Sequence, residues 1–421
     1  MTISGILHRV PGSSLLITVI LSLVIGLICG LLILQAWYNL HLRTDLHVDE
    51  KLGRNMNSCI NMVLEDDPST GPAIRKTSDL FGQGNDSAYI QEESWGIYAV
   101  ASVEVRDGAR TRQKSFFFGS LLPASLDGCL YLAEHRRSLS VVGSTMLTGK
   151  AYLPKGGVKP GYIDQRGYDH TILVDGSIER SMDSLPALET GVLSYYAKLP
   201  GADTSGKTGD NIPAILEQSF HDSLRIIWHR GAMVLSGCNL HGHILLVSDS
   251  LIDVNADARL DNVLLAAPVI RIRSGFSGRL QAYGLDSVVA EDNCRFDYPS
   301  ALVVVKRSGD TGQPRLVIGK NDLLEGVALS WCADGDQNKT LVEVGAGSII
   351  RGVLYASGYL SLRGNVSGAT VTDYFIYRTP AVIYENYLAD AQLNRNSLAA
   401  WYAGPVIFNG RKKNRVLQWV N

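Results

Sequence analysis

A run of uncharged residues near the N-terminus constrains this chain more than any other feature. Residues 15–34 read LLITVILSLVIGLICGLLIL, without Asp, Glu, Lys or Arg. As an α-helix, this run extends about 30 Å, which matches the hydrocarbon core of a bilayer. Trp37 and Tyr38 follow it, at the level where interfacial aromatic residues stand. The sequence therefore predicts a transmembrane helix over residues 15–38, behind a cytoplasmic tail over residues 1–14.

A cleaved signal peptide is the alternative to a permanent span. Its apolar region usually has about 7–15 residues and ends at a small-x-small cleavage site. The run in this chain is longer, and the LQAW that closes it offers no such site. We therefore expect a single-pass membrane protein, with nearly all other residues on one side of the membrane.

Small residues recur on one face of the predicted span. Ser22, Gly26 and Gly30 are spaced by four, and this spacing allows two helix backbones to approach closely. We expect this face to pack against another membrane helix, either from a second copy or from another membrane protein. The alternative is that these residues reflect the general abundance of glycine and serine in membrane helices.

Charge and cysteine content exclude several functional classes. The 421 residues have a formal net charge of −2, and the longest basic tract spans residues 411–413, so nucleic-acid binding has no electrostatic support. The six cysteines stand singly without a CxxC pair, which leaves zinc-ribbon and thioredoxin-like readings without a motif.

The positive charges that flank the span bear on its orientation. Arg9 precedes it, whereas Arg43, Lys51 and Arg54 follow it, and this count favours a cytoplasmic body. Large domains cross the membrane largely regardless of such charges, so the periplasmic orientation stays open.

An amphipathic helix is predicted directly after the span, over residues 39–66. Apolar residues keep helical spacing between charged ones, and Asp67 before Pro68 ends the pattern. A break at Gly53 into two helices is the alternative.

Residues 69–137 are predicted to form a small antiparallel β region. Its apolar runs are SWGIYAVASVEV, KSFFFGSL and CLYL, with a hairpin turn at Asp107-Gly108.

A degenerate repeat dominates the rest of the chain. Blocks of strand, turn, strand and turn start at residues 244, 263 and 282, about nineteen residues apart, and an apolar-x-Gly-x-x-apolar pattern continues them. Stacked coils would bury a continuous core, so we expect a mainly β chain with a parallel β-solenoid, right- or left-handed. Its first coils would span residues 138–180 and its main part residues 223–380. A β-sandwich is the alternative.

Two further segments complete the predicted architecture. Residues 181–222 read as a helical insertion beside the solenoid, with helices over residues 182–199 and 212–220. Residues 381–421 read as a C-terminal cap, because an exposed coil end needs cover and this segment carries a predicted helix over residues 384–393. The aromatic residues that follow would cover the last coil.

One turn resembles part of a calcium loop. Asp253, Asn255 and Asp257 alternate, Asp261 follows, and oxygen ligands at alternate positions suit a hard cation. However, Leu264 stands where such a loop carries its bidentate acid. Asp and Asn are also ordinary turn residues, so turn chemistry is the simpler interpretation.

Other chemistry-bearing residues form no complete motif. His241 and His243 would share one side of a strand but need a third metal ligand, for which His221 and His229 are candidates. Solenoid enzymes that act on polysaccharides use clustered carboxylates and a basic residue. The corresponding candidates here are Asp249, Asp253, Asp257, Arg271, Arg273 and Arg279. No Walker loop, GxSxG elbow or HExxH sequence occurs. We therefore expect that the protein is not an enzyme, has no catalytic residues and binds no metal or cofactor.

The N-terminal residues resemble type IV pilins, minor pilins and pseudopilins. Gly12 precedes a Ser-Ser-Leu-Leu-Ile start, followed by a long apolar half and an amphipathic half. The resemblance implies prepilin-type processing between Gly12 and Ser13 and helix packing in a filament core. These proteins usually carry a glutamate at the fifth mature position, where this chain has Ile17. Some minor members of the family also lack this glutamate. The resemblance therefore implies an accessory subunit.

The body resembles bactofilin-type polymer-forming β-solenoids over residues 349–370, IIRGVLYASGYLSLRGNVSGAT. Together these observations predict a non-enzymatic structural protein of the bacterial cell envelope. It would sit in the cytoplasmic (inner) membrane with its bulk in the periplasm, and contact membrane lipid, other envelope proteins or further copies of itself. A cytoplasmic, membrane-tethered scaffold is one alternative. A carbohydrate-binding or carbohydrate-cleaving solenoid is another.

Overall fold

The computed structural model describes residues 13–66, 74–78, 86–201, 212–333, 338–410 and 413–420. The chain is mainly β, with 49% strand and 18% helix. It combines one long apolar helix, an antiparallel sheet and a large parallel-strand sheet. These elements lie in layers, with the antiparallel sheet between the helix and the parallel-strand sheet.

The helices are α1 (Ser13–Glu65) and α2 (Gly191–Lys198), with short 3₁₀ turns at Ala124–Leu126 and Leu199–Gly201. In the N-terminal third and the middle of the chain, the strands are β1 (Ile74–Ser78), β2 (Asp86–Trp95), β3 (Tyr98–Asp107), β4 (Arg110–Ser120), β5 (Leu130–Leu132), β6 (Leu139–Val142), β7 (Met146–Thr148), β8 (Ala151–Leu153), β9 (Val158–Pro160), β10 (Ile178–Arg180), β11 (Ile215–Gln218), β12 (Arg225–His229), β13 (Met233–Leu235) and β14 (Asn239–Ser248). They continue as β15 (Leu251–Val254), β16 (Arg259–Ile272), β17 (Ser277–Ala290), β18 (Arg295–Val305), β19 (Arg315–Ile318), β20 (Leu323–Trp331), β21 (Leu341–Val344), β22 (Ile349–Leu362), β23 (Asn365–Arg378), β24 (Ile383–Glu385), β25 (Tyr387–Ala389), β26 (Gln392–Asn394) and β27 (Asn414–Val420).

Helix α1 is continuous over 53 residues and passes through Gly53 without a break. Its second half buries one stripe at helical spacing, formed by Leu52, Met56, Cys59, Ile60 and Val63. This stripe packs against the antiparallel sheet, so the burial of its apolar side chains outweighs the low helix propensity of a single glycine.

The antiparallel sheet has the strand order β1-β2-β3-β4-β27. Its side chains alternate between two cores, as the period of two along a strand requires. Phe116 and Phe118 face α1, whereas Phe117 faces the parallel-strand sheet. The predicted hairpin at Asp107-Gly108 is confirmed, because Asp107 pairs with Arg110 across the turn. The run SWGIYAVASVEV is not one strand, since a turn at Gly96 and Ile97 separates β2 from β3.

The parallel-strand sheet follows a stepped register. Ile244 pairs with Val263 nineteen residues later, as the repeat predicts, and Val263 pairs with Leu280. Later steps vary, since Leu323 pairs with Ile349. Along β14 the side chains alternate between an inner core and a core shared with the antiparallel sheet. Burial on both faces explains the unbroken apolar runs of these strands.

Six strands close into a ring in the order β17-β18-β20-β22-β21-β19. The ring closes because the long strands β17 and β22 each pair with one strand through their first half and with another through their second half. A parallel-strand sheet is therefore shown, with a closed ring in place of the uniform open stack that the repeat predicts.

The repeated glycine of the apolar-x-Gly-x-x-apolar pattern has a steric cause. Gly326 and Gly352 are paired, and both have φ near +145°. A Cβ on Gly352 would lie 2.0 Å from the carbonyl oxygen of Gly326. The pattern thus marks positions where one strand backbone passes close to the next.

The order of strands in space differs from their order in the chain. Strand β23 pairs with β5, β5 pairs with β8, and β8 pairs with β10. The segment predicted to hold the first coils, residues 138–180, thus belongs to strands stacked beyond the late strand β23. Hydrophobic periodicity shows that strands repeat, but it does not show the order in which they stack in space.

Two predicted helical regions are mostly not helical. Within residues 181–222, α2 is shorter than expected, and residues 215–218 form β11, which pairs with β14. Within residues 381–421, the predicted helix at 384–393 is replaced by β24, β25 and β26. Asn386 and Asp390 there have φ of +57° and +54°, which no α-helix accommodates.

The C-terminal segment joins the layers along their side. Strand β27 pairs with β4, and Phe408 packs in the core between the two sheets. Trp401 and Trp419 remain exposed, so these aromatic residues do not cover a coil end as expected. The remaining domain boundaries stay predictions.

Candidate functional sites

The first half of α1 is an apolar helix without cover from the rest of the chain. Its large hydrophobic side chains are exposed, from Leu15 at 72% to Leu34 at 66%. Its most apolar window has a mean hydropathy of 3.0 and no buried share. By length and composition, this helix is able to span a membrane, which is consistent with a single-pass protein.

The predicted packing face lies within this exposed half. At Gly26 and Gly30, apart from the adjoining residues and backbone of α1 itself, no atom of the described chain lies within 4 Å of where a Cβ would stand. The Ser22 hydroxyl donates to the Val19 carbonyl at 2.9 Å, which satisfies it inside the helix. Association through this face stays a prediction. Ser13 is the first residue of α1, whereas Gly12 lies outside the described residues.

An ionic clamp fixes the second half of α1 to the β3–β4 hairpin. The Arg110 guanidinium donates to the Asp45 carboxylate at 2.5 Å and lies 3.7 Å from that of Asp49. Directly across the hairpin from Arg110, the Asp107 carboxylate lies 3.2 Å from the Lys51 ammonium. Together with the buried stripe, this clamp sets the direction in which the apolar half leaves the body.

The four calcium candidates have different partners. The Arg273 guanidinium donates to both Asp253 oxygens, at 2.8 and 2.6 Å. Asp257 accepts a hydrogen bond from the Ser236 hydroxyl at 2.9 Å, and Asp261 accepts one from Arg279 at 2.8 Å. The backbone N–H of Asn255 donates to the Leu235 carbonyl at 2.9 Å. Among the described residues, no group of three or more His, Cys, Asp or Glu side chains is placed to hold a metal ion. The geometry therefore favours turn and strand chemistry for these residues.

The two histidines on β14 do not share a side. His241 is partly exposed and lies 3.0 Å from the Asp261 carboxylate, whereas buried His243 lies 3.0 Å from that of Glu93. Gly242 between them has φ of +97°, and the strand register shifts there, which rotates the two side chains apart. The prediction that His241 and His243 share one side of the strand is therefore wrong.

The remaining metal and carbohydrate candidates are also dispersed. His221 lies on the antiparallel sheet within 2.8 Å of Ser115 and Gln113, and burial lowers the pKa of its imidazole. Arg273 forms a bridge between Asp253 and Glu291. Asp249 accepts a backbone amide, and Arg271 stands opposite Asp253 on the neighbouring strand. These groups belong to separate local pairs.

A polar cleft that the sequence analysis missed lies around Asp373, and we call it the Asp373 cleft. Its volume is about 340 Å³. Its side chains that bear on chemistry are those of His135, Asp183, Trp331, Lys339, Ser357 and Asp373. It adjoins a wider vestibule lined by Glu134, Arg136, Arg137 and Glu385.

A buried carboxylate organises this cleft. Asp373 is 7% exposed and pairs with the His135 imidazole at 2.5 Å and with the Lys339 ammonium. Burial acts to lower the pKa of Lys339, but its hydrogen bond to Asp373 and the attraction of the Asp373 charge together exceed this effect, so the pKa is raised. The His135 ring stacks on Tyr374 with 4.2 Å between centroids, and Lys339 lies over the same ring.

No sequence motif could have revealed this arrangement. His135 and Asp373 are 238 residues apart. They meet because β5 pairs with β23 out of chain order, with Leu132 opposite Thr372. The only available signal was local, namely the clustering of charged residues at 134–137 directly after a short apolar strand.

The chain was compared with protein-family models, curated proteins and solved structures. No family model, curated protein or solved structure matches it.

Proposed function

We propose that this chain is a non-enzymatic structural protein of the bacterial cell envelope, anchored in the cytoplasmic membrane by α1. In this role it is an accessory, minor-pilin-like subunit of a pilus or secretion assembly. Its body stands in the periplasm and contacts other envelope proteins or further copies of itself.

One observation carries this proposal: α1 is a single helix with an exposed apolar half and a docked amphipathic half. An uninterrupted helix transmits position and force from the membrane to the antiparallel sheet, whereas a flexible linker would not. Besides covering one face of the antiparallel sheet, the docked half holds the apolar half at a set angle. This is the arrangement that an assembly built by helix packing requires.

The parallel-strand body is interpreted as a solenoid that offers partner surfaces. Its stepped parallel registers and its column of paired glycines support this interpretation. The closed six-strand ring is then the result of two strands long enough to bend across two faces of a coil. A rigid body of this kind presents long, flat sides, which suit docking in an assembly.

The test is the N-terminal peptide of the protein purified from membranes, measured with the intact mass. We expect the mature chain to start at Ser13, because prepilin-type processing after Gly12 would release α1 at its first residue. A start at Met1 would contradict the pilus-like part of the proposal.

A cytoplasmic, membrane-tethered scaffold is the second candidate, and the excess of Arg43, Lys51 and Arg54 over Arg9 favours it. Cys238 and Cys294 are buried, so thiol labelling of sidedness needs a new, exposed cysteine. Ala256→Cys provides one on an exposed turn. Labelling from outside in spheroplasts supports the periplasmic orientation, whereas labelling only after lysis supports the scaffold.

A further inference from the structure

The Asp373 cleft has the dimensions of a ligand site. Its volume of about 340 Å³ falls in the range of known small-molecule sites, which is roughly 300–1,000 Å³. The segments around it come from distant parts of the chain, because His135, Trp331 and Asp373 lie on or next to different strands. A site assembled in this way has walls that are fixed by the packing of the whole body.

Charges in and around the cleft are largely compensated. Asp373 is paired with His135 and Lys339, and Arg137 is paired with Glu385. Glu134 accepts backbone amides, and the hydrogen bonds from Lys155 and Arg136 lower the pKa of its carboxyl group. An ionic ligand would have to compete with these pairs, so the described residues favour an uncharged ligand.

The cleft nevertheless offers many hydrogen-bonding groups. Lys339 has three N–H donors and directs one of them at Asp373, and His135 has a second ring nitrogen. The Asp183 carboxylate lies exposed at the rim and is an acceptor, and the indole of Trp331 is a donor. The cleft wall therefore contains both donors and acceptors, and its charges are largely compensated.

Aromatic rings supply the apolar part of the wall. Trp331 is partly buried against the core between the two sheets, and its remaining surface lines the cleft. Tyr355 stands behind this surface, because it is 4% exposed and its hydroxyl donates to the Pro186 carbonyl at 2.9 Å. Aromatic rings of this kind bind the C–H faces of a ring that is apolar on its faces and polar at its edge.

We infer that the Asp373 cleft binds a neutral sugar unit of an oligosaccharide or polysaccharide. Sugar hydroxyl groups both donate and accept hydrogen bonds, as the mixed polar wall requires, and their C–H faces suit the aromatic part. The stacking of His135 and Lys339 on Tyr374 holds the polar groups in place before a ligand arrives. This inference concerns binding only and does not depend on the assembly role proposed above.

The test uses the full chain in lipid nanodiscs, because sugar-based detergents would compete for the cleft. The probes are cellotriose and maltotriose as neutral sugars, trigalacturonate as an acidic sugar and chitosan triose as a cationic one. Saturation-transfer NMR and calorimetry report binding. We expect at least one neutral trisaccharide to bind with a Kd below about 10 mM, and the charged ones to bind at least about tenfold more weakly.

Two variants locate the binding. Trp331→Ala removes the aromatic wall. Asp183→Asn changes a hydrogen-bond acceptor that is exposed, so this substitution leaves the buried core intact. We expect about tenfold and several-fold weaker binding, respectively. Trp401→Ala is the matched control, because Trp401 is 66% exposed and does not line the cleft.

Three results would overturn the inference. The first is no binding of either neutral probe at about 10 mM. The second is binding of a charged probe as tight as that of the neutral ones. The third is a result that places the binding elsewhere. Either the Asp183→Asn and Trp331→Ala variants both keep the original affinity, or the control Trp401→Ala loses as much affinity as they do.

Discussion

At the scale of single residues, many charged side chains in the described part of the chain form ion pairs, and Asp322 is a buried carboxyl group that forms none of those described above. It is 1% exposed, and its Oδ1 accepts the Cys294 amide at 2.7 Å. Within the described part of the chain, no group hydrogen-bonds its Oδ2. Burial, with a smaller contribution from repulsion by Asp292, raises the pKa of Asp322 to about 6. Folding therefore shifts this carboxyl group towards its protonated form, which predominates only below about pH 6.

The raised pKa predicts a pH dependence of stability. Because the folded pKa exceeds the unfolded one, the stabilising contribution of Asp322 is present below about pH 4 and is lost as the pH rises through about 6. We expect Asp322→Asn to stabilise the protein at pH 8 by up to about 3 kcal/mol, and to have little effect at pH 4. Thermal melts of both proteins across this pH range measure the difference. A shift of equal size at both pH values would show that titration is not its cause.

At the scale of secondary-structure elements, apolar burial and ion pairs both hold α1 to the antiparallel sheet. Met56 is 2% exposed in the buried stripe, whereas the Arg110 and Asp45 side chains of the ionic clamp remain about 40% exposed. Exposed ion pairs contribute only about 0–1 kcal/mol, because water and salt screen them. The apolar stripe should therefore dominate the docking energy, and the clamp should set orientation.

Substitutions in each part of this interface separate the two contributions. We expect Met56→Ala to lower the free energy of unfolding by about 2–4 kcal/mol, because it leaves a cavity in a closed core. Arg110→Ala should lower it by less than about 1 kcal/mol. Urea unfolding of the full chain in nanodiscs, followed by tryptophan fluorescence, provides both values. The reverse ranking would mean that the clamp is the main attachment.

At the scale of the whole molecule, the stacking order of the strands decides which residues meet. Strand β26 pairs with both β23 and β7, which places Asn394 opposite Ser367 on one side and Thr148 on the other. Thr148 on β7 and Asn394 on β26 are paired, although they are 246 residues apart in the sequence. The same out-of-order stacking creates the Asp373 cleft, so a test of the order is also a test of the cleft's walls.

Engineered cysteines test this order directly. Adjacent strands lie about 4.8 Å apart, which permits a disulfide, whereas strands two steps apart lie about 10 Å apart, which does not. We expect Thr148→Cys with Asn394→Cys to form a disulfide under mild oxidation. Thr148→Cys with Ser367→Cys is the control and should stay reduced. Peptide mapping by mass spectrometry identifies the bond, and a bond in the control pair alone would refute the order.

The sequence by itself determined the local features of this protein. The uncharged run of residues 15–34, the amphipathic continuation through Gly53, the turn at Asp107-Gly108 and the nineteen-residue step from Ile244 to Val263 all follow from hydrophobic pattern and turn chemistry. These signals act over a few residues, so they can be read without knowledge of the fold.

Only the tertiary structure decided the rest, because long-range pairing overrides local preference. Residues 384–393 read as a helix but form strands, since β23, β6 and β7 offer them edges to pair with. His241 and His243 point apart because of a register shift at Gly242. His135 and Asp373 meet because β5 stacks on β23, and no pattern within either segment encodes that contact.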